Sequence, residues 1–321
     1  MPNNSQIVLA KIEGTYGVDS APVPATDAQI IYDWEPQPMQ FDEIRRRIDR
    51  GFAGRRPKVK TRGRQGHGFR FELAGSGTAN IATRWGSVWL RACMFGAPVP
   101  NGAIDVSYPL ETVGDGSSLT LYGHKGDAGT GYVRMRTQGL RSNLILNFTE
   151  GDFPYGAMDG IGLLNQVPDG TAIGAPTLPA PPAPVEVNSV NTTFTLGGFA
   201  LLLRSFELNL GMKTSYRSLV GQRAVIFDTA EDGDRRSAGG TIVAELPDPS
   251  VRNYFTEVTT RADLALSLVH GTVAGNILDL TSARLQIDEP TFSVEQNRLM
   301  MTCNYDLIPS AAGNELVLKT R

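Results

Sequence analysis

Two cysteines and three histidines in 321 residues are too few and too scattered for a disulfide framework, a structural zinc or a histidine-centred active site. Cys93 falls in a helical pattern and Cys303 in a strand pattern, and both read as reduced core residues. His67, His124 and His270 stand alone in three contexts, which points to surface or turn positions. No Gly-x-Ser-x-Gly elbow is present. The glycine clusters Gly63–Gly68 and Gly126–Gly131 do not open helices after strands, so neither reads as a phosphate cradle. The acidic run Asp228–Asp234 lacks the alternating oxygens and closing Glu of a calcium-binding loop and reads as a turn tip. No apolar run approaches the roughly 20 residues that a membrane helix needs. The opening Met-Pro-Asn-Asn-Ser-Gln has no basic segment leading into an apolar one, so no secretory signal is expected. These absences assign no catalytic residue, metal ligand or cofactor and disfavour an enzyme.

What is abundant is turn chemistry. Glycine numbers 35 and proline 20, beside 41% apolar and 20% charged residues, the balance of a globular chain of many short strands. Net charge is −3, which excludes a nucleic-acid binder acting through its overall field. The charge is unevenly spread, however. Arg45–Arg70 holds eleven Arg and Lys and one acid, Asp49, leaving about −13 on the remaining 295 residues.

Leu201–Leu210 alternates from Leu202 onward, with Leu202, Phe206, Leu208 and Leu210 on one side and Ser205, Glu207 and Asn209 on the other. Such a period of two marks a strand with one buried and one wet face. Gly139–Glu150 repeats the pattern, and both stretches carry Leu-Arg-Ser, so they read as corresponding strands of two related halves. Thr78–Phe95 is expected to be a helix with the stripe Ile81, Trp85, Val88, Trp89 and Ala92, capped by Thr78 and Gly96. A second helix is expected at Pro249–Thr259 behind Asp248. Residues 1–30 read as an N-terminal arm and 31–321 as one β domain. Its halves, about 31–165 and 190–321, are joined by a Pro-rich linker at 166–189.

The segment Ala10-Lys-Ile-Glu-Gly-Thr-Tyr-Gly-Val-Asp19, followed by Pro22-Val-Pro-Ala-Thr-Asp-Ala28, resembles the opening of tail tube proteins of long-tailed bacteriophages. Leu210-Gly with Tyr216-Arg-Ser-Leu-Val220, His270–Asn276 leading to Leu285-Gln-Ile287, and Ala311–Leu316 are similar to the same family. The basic 45–70 stretch and residues 97–137, which read as an insertion, depart from it. The resemblance implies a mainly β fold: a β-sandwich or barrel with a flanking helix, long loops and an extended arm. It also implies six-membered rings stacked into a hollow tube through which DNA is ejected. The partners implied are further copies of the chain and tape-measure, tail-terminator and tail-tip proteins, in a virion tail synthesised in the host cytoplasm, with no membrane. DNA would pass the lumen without specific binding.

On that reading Glu207, Asn209, Glu72 and Glu150 face the lumen, with Arg141 and Arg204 paired or at a ring edge. Ile7, Leu9 and Ile12 in the arm, and Arg45, Arg46, Arg47, Arg50, Arg55 and Arg56 in an irregular basic loop, contact neighbouring copies. The competing classes are a carbohydrate-binding or adhesin-like β-sandwich on a virion surface and, third, a secreted β-rich hydrolase.

Overall fold

The structure, a computed structural model, describes residues 5–48, 54–127, 131–229 and 236–321. The chain opens with β1 (Ser5–Ile12), the single turn α1 (Pro24–Asp27), β2 (Ala28–Gln29), β3 (Tyr32–Arg45) and β4 (Lys58–Glu72). Then come α2 (Arg84–Val88), a 3-10 turn (Leu90–Cys93), β5 (Val99–Asn101), β6 (Asp105–Tyr108), β7 (Leu119–Asp127), β8 (Gly131–Thr149) and β9 (Tyr155–Leu163). After the linker follow β10 (Thr192–Leu196), β11 (Phe199–Ala200), β12 (Leu203–Asn209), β13 (Lys213–Leu219), β14 (Gln222–Asp228) and β15 (Gly239–Glu245). Last are α3 (Tyr254–Thr260), β16 (Leu264–His270), β17 (Leu278–Ile287), β18 (Thr291–Glu295), β19 (Arg298–Leu307) and β20 (Val317–Thr320).

The mainly β fold expected from the sequence is what the chain adopts. Strands β3-β4-β9-β8-β12-β15-β19-β18 run edge to edge, every neighbouring pair antiparallel. A second layer runs β10-β16-β17-β20-β6-β5. Between the layers Phe206 stacks on Tyr305 at 5.6 Å between ring centroids and tilts against Phe148 and Phe194. All four rings are buried, each by area contributing about 1.5–3 kcal/mol. The stretches around β8 and β12 that read as counterparts are direct neighbours: Ser205 to Asn209 pair with Thr149 to Ile145.

Several expectations need correction. The arm is no arm, because all eight residues of β1 pair with β7 of the same chain and Val8, Leu9 and Ala10 are buried. The 97–137 region is not an appended insertion either, since Val106, Tyr108, Leu119 and Leu121 sit in the core. The helix expected at Thr78–Phe95 starts only at Arg84, capped by Thr83, whose Oγ1 accepts from the Gly86 N–H. Ile81 lies outside it and exposed, while Trp85 and Trp89 pack on Phe71, Tyr108 and Phe69 as the stripe predicted. The helix then tightens into a 3-10 turn and stops at Met94, which takes a left-handed conformation (φ 56°) two residues before Gly96. The second helix begins at Tyr254 behind Asn253, while Asp248 caps the turn before it.

All three histidines are buried strand residues, not surface ones. The Trp34 indole donates to His67 Nδ1 at 3.3 Å, leaving Nε2 to donate to Thr137, which in turn donates to Gln65. Burial lowers the His67 pKa to about 4. His270 accepts from Thr192 at Nδ1 and donates from Nε2 to the Val185 carbonyl. The Lys-Ile-Glu-Gly-Thr-Tyr-Gly motif also finds its physical reason. Glu13 is buried with both carboxylate oxygens bonded, to the Gly17 N–H and Ser118 hydroxyl on one side and the Gly139 N–H and Thr120 hydroxyl on the other. Tyr16 lies over the Arg141 guanidinium, with Phe227 on the other ring contact.

Candidate functional site: a polar sheet face and a basic hairpin

The first layer presents one wet face. Registers place Glu72, Tyr155, Asn147, Glu207, Thr241 and Asn304 on a single cross-strand row spanning six strands. The adjoining rows carry Ser205, Thr149, Val243 and Thr302 on one side and Asn209, Ile145, Ala157 and Arg70 on the other. Side-chain hydrogen bonds tie these polar groups to one another. Asn143 Nδ2 donates to Asn209 Oδ1 at 2.8 Å, Thr149 to Asn147 at 2.8 Å, and Thr241 to Asn304 at 3.0 Å. The face is anchored from behind, because the buried Tyr305 hydroxyl donates to the Glu207 carbonyl at 2.8 Å. The result is a mainly polar wall whose amides and hydroxyls bond to one another, with the carboxylates of Glu207 and Glu72 among them.

Three of the four acids and amides singled out by sequence, Glu207, Asn209 and Glu72, share this face. Glu150 lies just past the end of β8, where it pairs with Arg204. Arg204 also reaches Glu295 at 3.6 Å. Two further arginines of this layer are matched: Arg70 pairs with Asp33 and Arg298 with Glu245. Arg141, expected to be paired or peripheral, is nearly enclosed, with Asp115 at 3.4 Å and the Val225 carbonyl as acceptor.

The basic stretch is not an irregular loop. It forms much of β4, paired with β3 in a hairpin out to Arg45 opposite Lys58. Sequence periodicity missed it because the outer part of the ribbon packs on no other element: charges occupy both of its faces, and no alternation arises. A bulge sits where it leaves the sheet, with Arg62 at φ 54° and a register shift between Gln40 and Asp42. Part of the charge is balanced within the ribbon. Asp42 accepts from Arg64 at 3.1 Å and Glu43 from Lys58, and these bonds hold both carboxyls below their usual pKa range. Arg45, Arg46, Arg47, Arg55 and Arg56 are exposed near the tip, and Arg50 lies outside the described residues.

Of the arm residues, Leu9 is covered within its own chain, Ile7 is half-buried and Ile12 is exposed at 36%. The acidic run expected at a turn tip lies outside the described residues from Ala230 onward. Sequence reasoning also passed over Asp169, in the linker, which gathers Arg134 and Arg136 at 2.8 and 2.9 Å and pins the linker to β8. An isolated Asp in a Pro-rich stretch carries no signal of that role.

No group of three or more His, Cys, Asp or Glu side chains suited to a metal occurs among the described residues. Among the described residues no helix is long and apolar enough to cross a membrane. No curated protein matches the chain. The family model described as phage tail tube protein matches residues 3–306, nearly the whole length. The chain therefore belongs to the phage tail tube protein family, whose members are structural, non-enzymatic proteins of the virion tail.

Proposed function

We propose that six copies of this chain close into a ring, that rings stack into the tail tube, and that the polar sheet face lines the channel through which DNA is ejected. The observation that carries this reading is the single wet face itself. It offers DNA neutral amides, hydroxyls and a few carboxylates, and its arginines are engaged by acids. A lysine or arginine ring, repeated six times, would bind phosphates and release counterions, and so would hold DNA in transit. Glu207, Asn209 and Glu72 then face the lumen, with Glu150 at the ring's edge. The first layer ends in β3 on one side and the exposed strand β18 on the other. Neighbouring copies would join along these edges to continue the wall.

The basic hairpin belongs to assembly on this reading, since a basic element in the lumen would brake DNA. Tape-measure, terminator and tip proteins are the further partners, and the tube is built from subunits made in the host cytoplasm. Electron microscopy of purified protein tests the proposal. Six-fold rings or hollow tubes are expected, with the Glu207 face inward. Compact monomers at all concentrations, or tubes with that face outward, would overturn it.

A further inference from the structure

Hairpin β5–β6 turns on Asn101-Gly102, the one Asn-Gly step in the sequence. That pair suits a tight turn because both residues tolerate positive φ. Gly102 sits at φ 56°, and the Ile104 N–H donates to the Asn101 carbonyl at 3.0 Å. The same pair is a chemical weak point. An Asn side chain is open to attack by the backbone nitrogen of the next residue, and a glycine there has no Cβ to obstruct the approach. Every residue from Val99 to Ile104 is exposed, and nothing lies within 4 Å of the place a Gly102 Cβ would take. No partner among the described residues holds the Asn101 carboxamide or the Gly102 N–H.

Its chemical rivals are held. Asp115, before Gly116, pairs with Arg141, while Asp159 and Gly160 lie inside β9 between β4 and β8. The Asp169 carboxylate, before Gly170, is gripped by Arg134 and Arg136. Asp232-Gly233 lies outside the described residues. Among the amides, Asn188 precedes the small Ser189. Its Oδ1, however, accepts from the Val190 and Asn191 N–H groups, and its Nδ2 donates to Glu186. Of these described steps, only Asn101 combines a glycine neighbour, exposure and an unheld side chain.

We infer that Asn101 is a site of spontaneous deamidation. The Gly102 nitrogen, its proton taken by hydroxide, bonds to the Asn101 Cγ. The Cγ–Nδ2 bond then breaks and ammonia leaves, which closes a succinimide ring. Water opens the ring at either carbonyl. Cleavage of the bond between Cγ and nitrogen yields aspartate, and cleavage of the main-chain bond yields isoaspartate, whose backbone runs through Cβ and Cγ. Overall a water is consumed and an ammonia released, with no oxidant, cofactor or enzyme.

What faces the product gives it a structural effect. Asn101 pairs with Asp105, which is buried, with Oδ2 3.3 Å from Lys319 Nζ and Oδ1 without a partner. A carboxylate at 101 sets like charges on directly opposed residues, which disfavours the pair. Isoaspartate also lengthens the backbone at the turn and displaces the carbonyl that Ile104 holds. Among the described strands β5 is bonded to β6 alone, whereas β6 is held by β20 on its other side. The change therefore frees β5 and leaves β6 in place. This chemistry does not depend on how copies assemble: with age, one exposed tip gains a negative charge and loses its shape.

The test uses the full wild-type chain, folded, kept at mildly alkaline pH in heavy-oxygen water and then digested for mass spectrometry. Tryptic fragment 92–125 holds Asn101 as its only amide side chain, so an amide-to-acid change in its mass locates the event. Conversion at Asn101 is expected to outpace that at Asn188 by about tenfold or more, since only Asn101 has a glycine neighbour and no hydrogen-bonded restraint. Aspartate and isoaspartate should both appear, each with a labelled oxygen. Hydrogen exchange over residues 99–107 should rise in the converted fraction. Asn101→Gln, whose ring would be larger and slower to close, should keep both fragment mass and exchange unchanged. A folded chain whose fragment keeps its mass overturns the proposal. So does aspartate without isoaspartate, because direct hydrolysis needs no ring, and so does conversion at Asn188 as fast as at Asn101.

Discussion

Trp34 and His67 lie nearly parallel, 8° apart in ring plane, and the indole N–H donates to His67 Nδ1 from within a fully buried setting. That donor fixes the neutral imidazole, since a protonated Nδ1 could not accept it. The folded-state pKa of about 4 lies below the ordinary value of 6.5, so the stabilisation is complete above pH 6.5. It is lost as pH falls from 6.5 to 4, because the unfolded chain takes up the proton first. His124, also lowered to about 4 by burial, acts in the same direction. Melting temperature is expected to fall through this window, most clearly in its upper part, above the range where most carboxylates titrate. His67→Gln should flatten that part of the profile, with His67 alone accounting for at most about 3 kcal/mol.

Glu13→Gln is expected to destabilise the subunit by about 2–3 kcal/mol. The carboxylate accepts from four donors, and an amide nitrogen turned toward any of them would present a donor to a donor. Urea unfolding at neutral pH measures the loss.

Gly86→Ala reverses the usual rule for helices. In an exposed helix the change gains about 1 kcal/mol, but here a Cβ would fall 2.3 Å from the Tyr108 ring, which is itself held between Thr83 and Thr320. A net loss of about 1–3 kcal/mol is expected by calorimetry.

Deleting residues 1–27 is expected to give insoluble protein, since it strips β1 from the whole length of β7 and uncovers the core around Val8 and Ala10. Ile12→Ser leaves that strand in place and removes only an exposed side chain. It should shift the melting point by less than a few degrees, as surface changes away from special features stay within about 0.5 kcal/mol. If Ile12 meets a neighbouring copy, tube yield falls while the monomer's melt does not; unchanged yield assigns it no such role.

Glu207→Lys should leave rings and tubes intact while slowing DNA release, whereas Glu207→Gln should leave both assembly and release unchanged. Ejection kinetics from particles carrying each variant check this. Equal rates for both would place residue 207 away from the DNA path.

The sequence made the one-sided strands legible because Phe206, Leu208 and their partners alternate with polar residues. It made the family legible because Glu13, Tyr16 and their glycines form a compact local motif. Elsewhere the determining contacts were remote in sequence. Tyr108 under Gly86 fits the late, short start of the helix, and β7 turns an apparent arm into a core strand. The β3–β4 ribbon packs no face against another element at its outer end, so no periodicity could announce it. Histidines were misjudged because their partners, Trp34, Thr137 and Thr192, lie tens of residues away.

Strand β8 belongs to two sheets at once: its first half is hydrogen-bonded to β7, its second to β12, and β9 follows it across the join. Mechanically this makes it a spine. A pull along β8 loads its lateral hydrogen bonds together in shear, not one after another as in peeling, and the load passes to both sheets simultaneously.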